Sequence, residues 1–221
     1  ESLFMREHHL LLHEQVQALG ACMTQGRLDM ACYLQELARL LRQQVRCTQV
    51  SVWNLCGQGA HQQALCLAQD RAESPAAAAS DLLQVQGHQA YFDRLRQQGF
   101  VASADTHTDP QLQAVRQRYL QPGAPRALLD VAFTVNGQTF GILCCEELAR
   151  PRPWTAEELM LMRSVGSRVA LHLKARKASV GKWAGDASAG GSAAELPCSG
   201  CLCRCRGCPF AANEAPDAST A

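Results

Sequence analysis

Three side chains that could bind a metal ion or a polar ligand fall close together in the sequence. Asp105, His107 and Asp109 offer two carboxylates and one imidazole, a set of ligands that suits a divalent cation. A structural explanation is also available: Asp109 caps the helix that Pro110 begins, Asp105 forms an Asx turn, and His107 faces solvent. We favour the structural explanation, and we predict no metal site in the chain.

Aromatic residues on short predicted helices form a second candidate site. A pocket for a small ligand needs apolar walls with a few well-placed polar groups, and a tyrosine supplies both. Tyr91, Phe92 and Tyr119 could therefore line a pocket, or they could simply fill the core. Asp130 lies in a strand on the alternate face from Leu129, so it points either into such a pocket or to solvent.

The chain has twelve cysteines, and they fall into two groups. Seven lie among apolar residues, where we expect reduced thiols in a cytosolic protein: Cys22, Cys32, Cys47, Cys56, Cys66, Cys144 and Cys145. The other five follow a spacing that could hold zinc: Cys198, Cys201, Cys203, Cys205 and Cys208. Because Gly, Ser and Arg surround this second group, we expect a disordered tail or an out-of-frame translation instead.

Enzymatic signatures are missing from the sequence. A nucleophilic cysteine or serine needs a base beside it and an exposed, polar setting, whereas Cys144 and Cys145 lie in an apolar strand. Gly-x-Ser-x-Gly, P-loop and His-Glu-x-x-His motifs do not occur. We therefore predict that the chain has no catalytic residues.

Composition limits the remaining possibilities. A chain of 221 residues with 47% hydrophobic residues can build one core of about 150 residues with flanking segments. The net charge of +1 gives no basic surface for nucleic acid, and no run of about 18 apolar residues could cross a membrane. No signal peptide is recognisable, so we expect a cytoplasmic protein. Since the sequence begins at Glu1, we expect either a fragment or a natural start at Met5.

The order of the elements predicts an α/β fold of the α+β type, a central antiparallel sheet with flanking helices. Helical periodicity covers 3–24, 28–45, 88–98, 110–120 and 156–177, and alternation predicts strands at 48–55, 62–68, 100–104, 129–135 and after the Asn136-Gly137 turn. The last helix begins with a capping box between Thr155 and Glu158. We expect the terminal helices to share one face of the sheet.

Several blocks resemble the GAF domains of bacterial sensor proteins. These are SVWNL, YFDRL with FVASADTHTDPQL, RYLQPGAPRALLDVAFTVNGQTFGILCCEE, and RPRPWTAEEL. The resemblance implies a six-stranded antiparallel sheet between a helical bundle and a layer of short helices. We divide the chain into an N-terminal signalling or dimerisation helix at 1–25, a GAF-like domain at 26–177 and a low-complexity tail at 178–221.

The resemblance also implies a function. Such a domain binds an unknown small molecule, pairs as a homodimer through its terminal helices, and regulates a histidine kinase or a cyclic-di-GMP output such as a diguanylate cyclase. The implied ligand-binding residues are Tyr91, Phe92, Asp105, His107, Tyr119 and Asp130. The Asn-Lys-x-Asp motif of cyclic-nucleotide GAF domains is missing, which disfavours that ligand, and no output domain is recognisable after Lys177.

Two alternatives remain open. One is a small redox enzyme like the free methionine sulfoxide reductases, which use catalytic cysteines on a GAF fold; Cys66 with Cys144 or Cys145 would then react. The other is a truncated remnant of a sensor protein, with a packed core but no ligand.

Overall fold

The structure, a computed structural model, describes residues 2–56, 63–72, 82–84, 88–120, 122–135 and 138–179. The helices are α1 (Ser2–Thr24), α2 (Met30–Val45), α3 (Gln89–Gln98), α4 (Arg116–Tyr119) and α5 (Ala156–Ser179), with a 3-10 helix at Pro110–Val115. The strands are β1 (Gln49–Cys56), β2 (Gln63–Arg71), β3 (Leu82–Gln84), β4 (Phe100–Ser103), β5 (Ala127–Val135) and β6 (Gln138–Glu147). The Asn136-Gly137 turn and the cysteine-rich tail lie outside the described residues.

The six strands form one antiparallel sheet in the order β3-β2-β1-β6-β5-β4. The strands predicted at 48–55 and 62–68 pair as β1 with β2, and those predicted on either side of Asn136-Gly137 pair as β5 with β6. Pairing across the sheet joins distant parts of the chain, since Gln49 lies opposite both Arg71 and Glu146. The predicted α+β fold with a six-stranded antiparallel sheet is therefore confirmed.

One face of the sheet carries the terminal helices, as predicted. Here α2 packs on β1 and β2, α5 packs on β5, and α1 packs on α2 and α5 rather than on the sheet. The core between them is almost entirely apolar, with Val16, Leu37, Val50 and Val169 fully buried. Burial of this surface is the main driving force for folding.

Polar contacts align α1 with α5. The His13 ring lies 3.3 Å from the Ser164 hydroxyl, and Arg168 donates to Gln17 at 2.8 Å. Since the residue numbers rise together along both helices, α1 and α5 run parallel. None of the helices within the described part of the chain has the length and hydropathy that a bilayer crossing requires.

The starts of α5 and of the 3-10 helix follow the sequence closely. At the capping box, the Thr155 hydroxyl accepts from the Glu158 backbone N–H at 3.1 Å, and the Glu158 carboxylate accepts from the Thr155 N–H at 2.8 Å. Asp109 caps the segment that begins at Pro110, as predicted. However, Pro110–Val115 is a 3-10 helix and only Arg116–Tyr119 is α-helical. The prediction of one continuous α-helix at 110–120 was wrong, because the first six residues form a 3-10 helix, which has i→i+3 hydrogen bonds and a longer rise per residue than an α-helix.

Candidate functional site

A small cavity of about 40 Å³ lies between the sheet and α3, on the face opposite the terminal helices. Such a volume holds a few water molecules, each of which needs at least 10–15 Å³, or one compact chemical group. Aromatic rings and acidic groups share its wall. The lining residues are Trp53, Ala64, His88, Tyr91, Phe92, Tyr119, Pro125, Asp130, Ile142, Cys144 and Glu146.

The floor of the cavity is built by strand alternation. Ile142, Cys144 and Glu146 are alternate residues of β6, so their side chains point to the same face. Asp130 of β5 lies directly opposite Cys144 in the antiparallel register. Trp53 of β1 completes the floor, where its indole N–H donates to the Ser51 hydroxyl at 2.9 Å.

Helix α3 supplies the cover of the cavity. Tyr91 and Phe92 meet edge to face, with ring centroids 5.0 Å apart and an interplanar angle of 88°. Phe92 is fully buried, and the Tyr91 hydroxyl reaches the floor. The helix ends at Gly99, whose φ of 78° allows the left-handed turn that leads the chain into β4.

A buried polar group connects the cover to the floor. The Tyr91 hydroxyl donates to the Asp130 carboxylate, which is only 3% exposed. Burial and the charge of Asp130 raise the pKa of Tyr91 well above its ordinary value, so the hydroxyl keeps its proton. The same two causes raise the pKa of the Cys144 thiol well above its ordinary value. The arrangement presents hydrogen-bonding groups beside the aromatic and apolar side chains of the wall.

Four of the six candidate ligand-binding residues come together at this cavity: Tyr91, Phe92, Tyr119 and Asp130. For Asp130 the sequence left two orientations open, and the structure places the side chain in the cavity wall. Asp105 and His107 lie instead in the loop after β4 and do not line the cavity. Whether any of the six contacts a ligand remains a prediction.

Asp105 and His107 both make hydrogen bonds within the protein. The predicted Asx turn is confirmed, because Asp105 accepts from the His107 backbone N–H at 3.1 Å. Arg126 also binds both carboxylate oxygens of Asp105, at 3.0 and 3.1 Å. Burial raises the pKa of Asp105, but the hydrogen bonds and charge of Arg126 outweigh it and hold the pKa below its ordinary value.

The expectation that His107 faces solvent was wrong. Its side chain is half-buried, and Nε2 lies 2.9 Å from the backbone oxygen of Tyr119. This contact joins the loop to the end of α4 and so supports a residue of the cavity wall. Among the described residues, no group of three His, Cys, Asp or Glu side chains is arranged to hold a metal ion.

Trp53, His88 and Glu146 also line the cavity, although the sequence did not single them out as site residues. Glu146 ends a predicted strand, which favours exposure, yet it is half-buried and accepts from Gln49 at 2.5 Å. Its position two residues beyond Cys144 on β6 was visible in the sequence. The sequence did not show that β1 lies beside β6, so Trp53 and Glu146 could not be placed in the same site.

The three cysteines proposed for redox chemistry do not form a cluster. Cys145 points to the helical face, where its Sγ lies 3.4 Å from Met162 Sδ, and Cys144 points to the cavity. Cys66 is two strands from Cys144, opposite Trp53, whereas Cys144 lies opposite Ser51. Strand spacing then separates their Cα atoms by about 12 Å, beyond the roughly 7 Å that a disulfide spans.

Comparisons with known proteins agree with this fold. A GAF domain family model matches residues 29–173, about two thirds of the chain. No curated protein matches the chain. Solved structures do match, at sequence identities low enough that they bear on the fold alone.

Three of these structures show the range of sequence identity and of protein type among the matches. The blue-light absorbing form of the Thermosynechococcus elongatus PixJ GAF domain is 20% identical, with a TM-score of 0.55 over 74% of this chain and 87% of that one. A phycoerythrobilin-bound GAF domain from a cyanobacterial phytochrome is 10% identical, with a TM-score of 0.64 over 76% and 97%. Free methionine-R-sulfoxide reductase from Neisseria meningitidis, solved with its substrate, is 13% identical, with a TM-score of 0.57 over 78% and 92%.

Proposed function

Because the chain belongs to the GAF domain family, we propose that it is a sensor domain that binds a small molecule in the cavity between the sheet and α3. The buried Tyr91–Asp130 hydrogen bond inside an aromatic wall carries this proposal. Burying a carboxylate without a strong structural need costs stability, so such groups concentrate at sites that bind or react. The phycoerythrobilin-bound GAF domain supports ligand binding as a use of this fold.

A route from the cavity to the terminal helices runs through the sheet. On β5 and β6, Asp130 and Cys144 face the cavity, while their neighbours Leu129 and Cys145 pack in the helical core. Cys145 touches Met162 of α5, so a shift of the strands changes the packing of that helix. A ligand alters this packing only if it binds one arrangement more tightly than the other.

The output of the sensor is the position of α1 and α5 in a homodimer. Four of the six large exposed apolar side chains in the described part of the chain lie on these two helices: Leu10, Leu11, Met160 and Leu171. Because α1 and α5 pack against each other, these exposed apolar side chains support association through the two helices. The dimer would act on a histidine kinase or a cyclic-di-GMP output, with 1–25 as the signalling helix, and analytical ultracentrifugation of the full chain would show twice the monomer mass.

The geometry does not favour the alternative of a methionine sulfoxide reductase activity. A hydrogen bond with Cys47 and burial raise the pKa of Cys145 well above its ordinary value, and the pKa of Cys144 is raised as well. Thiols with raised pKa are weak nucleophiles at neutral pH. The likeness to the Neisseria enzyme is a likeness of fold, so we propose a domain without catalytic activity of its own.

Thermal unfolding of the full chain with nucleotides, amino acids, tetrapyrroles and divalent metals tests the proposal. A ligand at about 100 times its dissociation constant stabilises the protein by roughly 2.7 kcal/mol, which gives a clear rise in Tm. Tyr91→Phe removes only the hydroxyl that contacts Asp130 and should weaken binding. Tyr33→Phe is the matched control: it removes a buried hydroxyl that contacts His172 on the helical side of the sheet, outside the cavity wall, and should bind normally. A folded protein that responds to no compound would indicate a remnant or a constitutive dimerisation module.

A further inference from the structure

We propose that the cavity selects a compact organic cation, a small ammonium or guanidinium compound with at least two N–H donors. This inference rests on the proposed function and adds the chemical class of the ligand. It follows from three properties of the described wall: the spacing of its acidic groups, the aromatic rings around them, and the scarcity of basic side chains.

Two carboxyl groups lie within reach of one small cation. Asp130 is paired with Cys144, and Glu146 follows two residues later on the same face of β6. At about 3.3 Å per residue along the strand and about 4.8 Å between strands, the Cα atoms of Asp130 and Glu146 are roughly 8 Å apart. A guanidinium or ammonium group placed between them donates to both carboxylates at once, and charge-assisted hydrogen bonds of this kind are the strong ones.

Aromatic rings share the cavity wall with the two acids. Trp53, Tyr91, Phe92 and Tyr119 all contribute to the wall. The faces of such rings carry negative potential and attract a cation within about 6 Å. Trp53 is held in place by its hydrogen bond to Ser51, and Tyr91 by its bond to Asp130, so the rings are positioned before a ligand arrives.

The wall offers little to an anion. Among its described residues there is no lysine or arginine, and His88 is the one side chain that can carry a positive charge. A phosphate or carboxylate would therefore approach two acids without a guanidinium to offset them. His88 Nδ1 is buried and has no hydrogen-bond partner within the described part of the chain, so a polar substituent on the ligand could supply one.

Volume restricts the ligand further. A cavity of about 40 Å³ accepts one compact head group, and the rest of a larger ligand would lie outside it. The combination of a small volume, paired acids and aromatic faces fits a short alkylguanidine or alkylamine better than a nucleotide or a tetrapyrrole.

Three probes of similar size separate charge from shape. Methylguanidine is a cation, methylurea is its neutral analogue, and acetate is an anion. We expect the full chain to show a rise in Tm and saturable heat in calorimetry with methylguanidine alone. Asp130→Asn and Glu146→Gln should each raise its Kd about 10- to 100-fold, the loss typical of a hydrogen bond to a charged group.

Asp93→Asn is the matched control, because it removes the same charge from an exposed position of α3 outside the cavity wall. Glu146→Gln keeps the experiment informative if Asp130→Asn does not fold, since Glu146 is only half-buried. Equal binding of methylurea or acetate, unchanged affinity in folded variants, or no response to methylguanidine would overturn the inference. A neutral or anionic ligand whose binding Tyr91→Phe weakens would overturn only the cationic class and leave the sensor function standing.

Discussion

Replacing Arg152 by alanine tests how the helical layer is attached to the end of the sheet. The guanidinium donates to the backbone oxygens of Val45 at 2.7 Å and Arg46 at 3.0 Å, where α2 ends. It also pairs with Glu158 of α5 at 2.5 Å and with Glu147 of β6 at 3.5 Å. One side chain therefore joins the end of α2 to the end of β6 and the start of α5, although Arg152 is 106 residues from Arg46 in the sequence.

The expected loss follows from these contacts. Hydrogen bonds to charged groups contribute about 1.5–3 kcal/mol each, and removal of one partner from a buried ion pair costs about 3–5 kcal/mol. Glu147 is 7% exposed and loses its cationic partner, although the Thr48 hydroxyl still donates to it. Because Arg152 is 19% exposed and water partly replaces its contacts, we expect about 3 kcal/mol of destabilisation.

Urea unfolding of the full chain, followed by circular dichroism, measures this loss. The midpoint should fall while the slope with urea stays the same, since the unfolded surface is unchanged. Arg150→Ala is the control: its side chain is exposed, and we expect a change within about 0.5 kcal/mol. A loss below about 1 kcal/mol for Arg152→Ala would refute the reasoning that this residue joins the three elements.

Two further predictions concern the contact between α1 and α5. A Cβ at Gly20 would lie 2.2 Å from the His172 ring, so Gly20→Ala should cost about 1–2 kcal/mol in the same assay, whereas Gly166→Ala, with 3.4 Å to the nearest atom, should be neutral or stabilising. Burial lowers the pKa of His172, and the charge of Arg168 lowers it further. The contribution of His172 to the free energy of unfolding is therefore complete above about pH 6.5 and is lost as the pH falls through the folded-state pKa. Between pH 7.5 and 5.5, His172→Asn should therefore lose less stability than the unsubstituted chain; equal losses would contradict this.

Local sequence patterns determined most of the secondary structure. The Thr155 and Glu158 pair predicted the start of α5, Asp109 and Pro110 predicted a cap, and alternation around Leu129 predicted β5. Each of these features depends on residues within a few positions of one another. Hydrogen bonds of caps and the two-residue repeat of strands form over that range, so the sequence alone reveals them.

The candidate site was only partly predictable. The blocks around Tyr91 and Tyr119 indicated a pocket through their resemblance to a family, and both residues line the cavity. Asp105 looked equally suitable, yet the structure pairs it with Arg126. An acidic side chain near a pocket and one engaged in an ion pair have the same sequence pattern, because the partner lies 21 positions away.

Tertiary structure alone decided which distant residues meet. The strand order places β1 between β2 and β6, which brings Trp53 and Glu146 into one wall, and the parallel packing of α1 and α5 brings Gly20 against His172. No short-range pattern encodes these meetings, since they follow from burying all the apolar faces at once in a single close-packed core. The sequence by itself determined the elements and their buried faces, and the packing of those faces created the cavity.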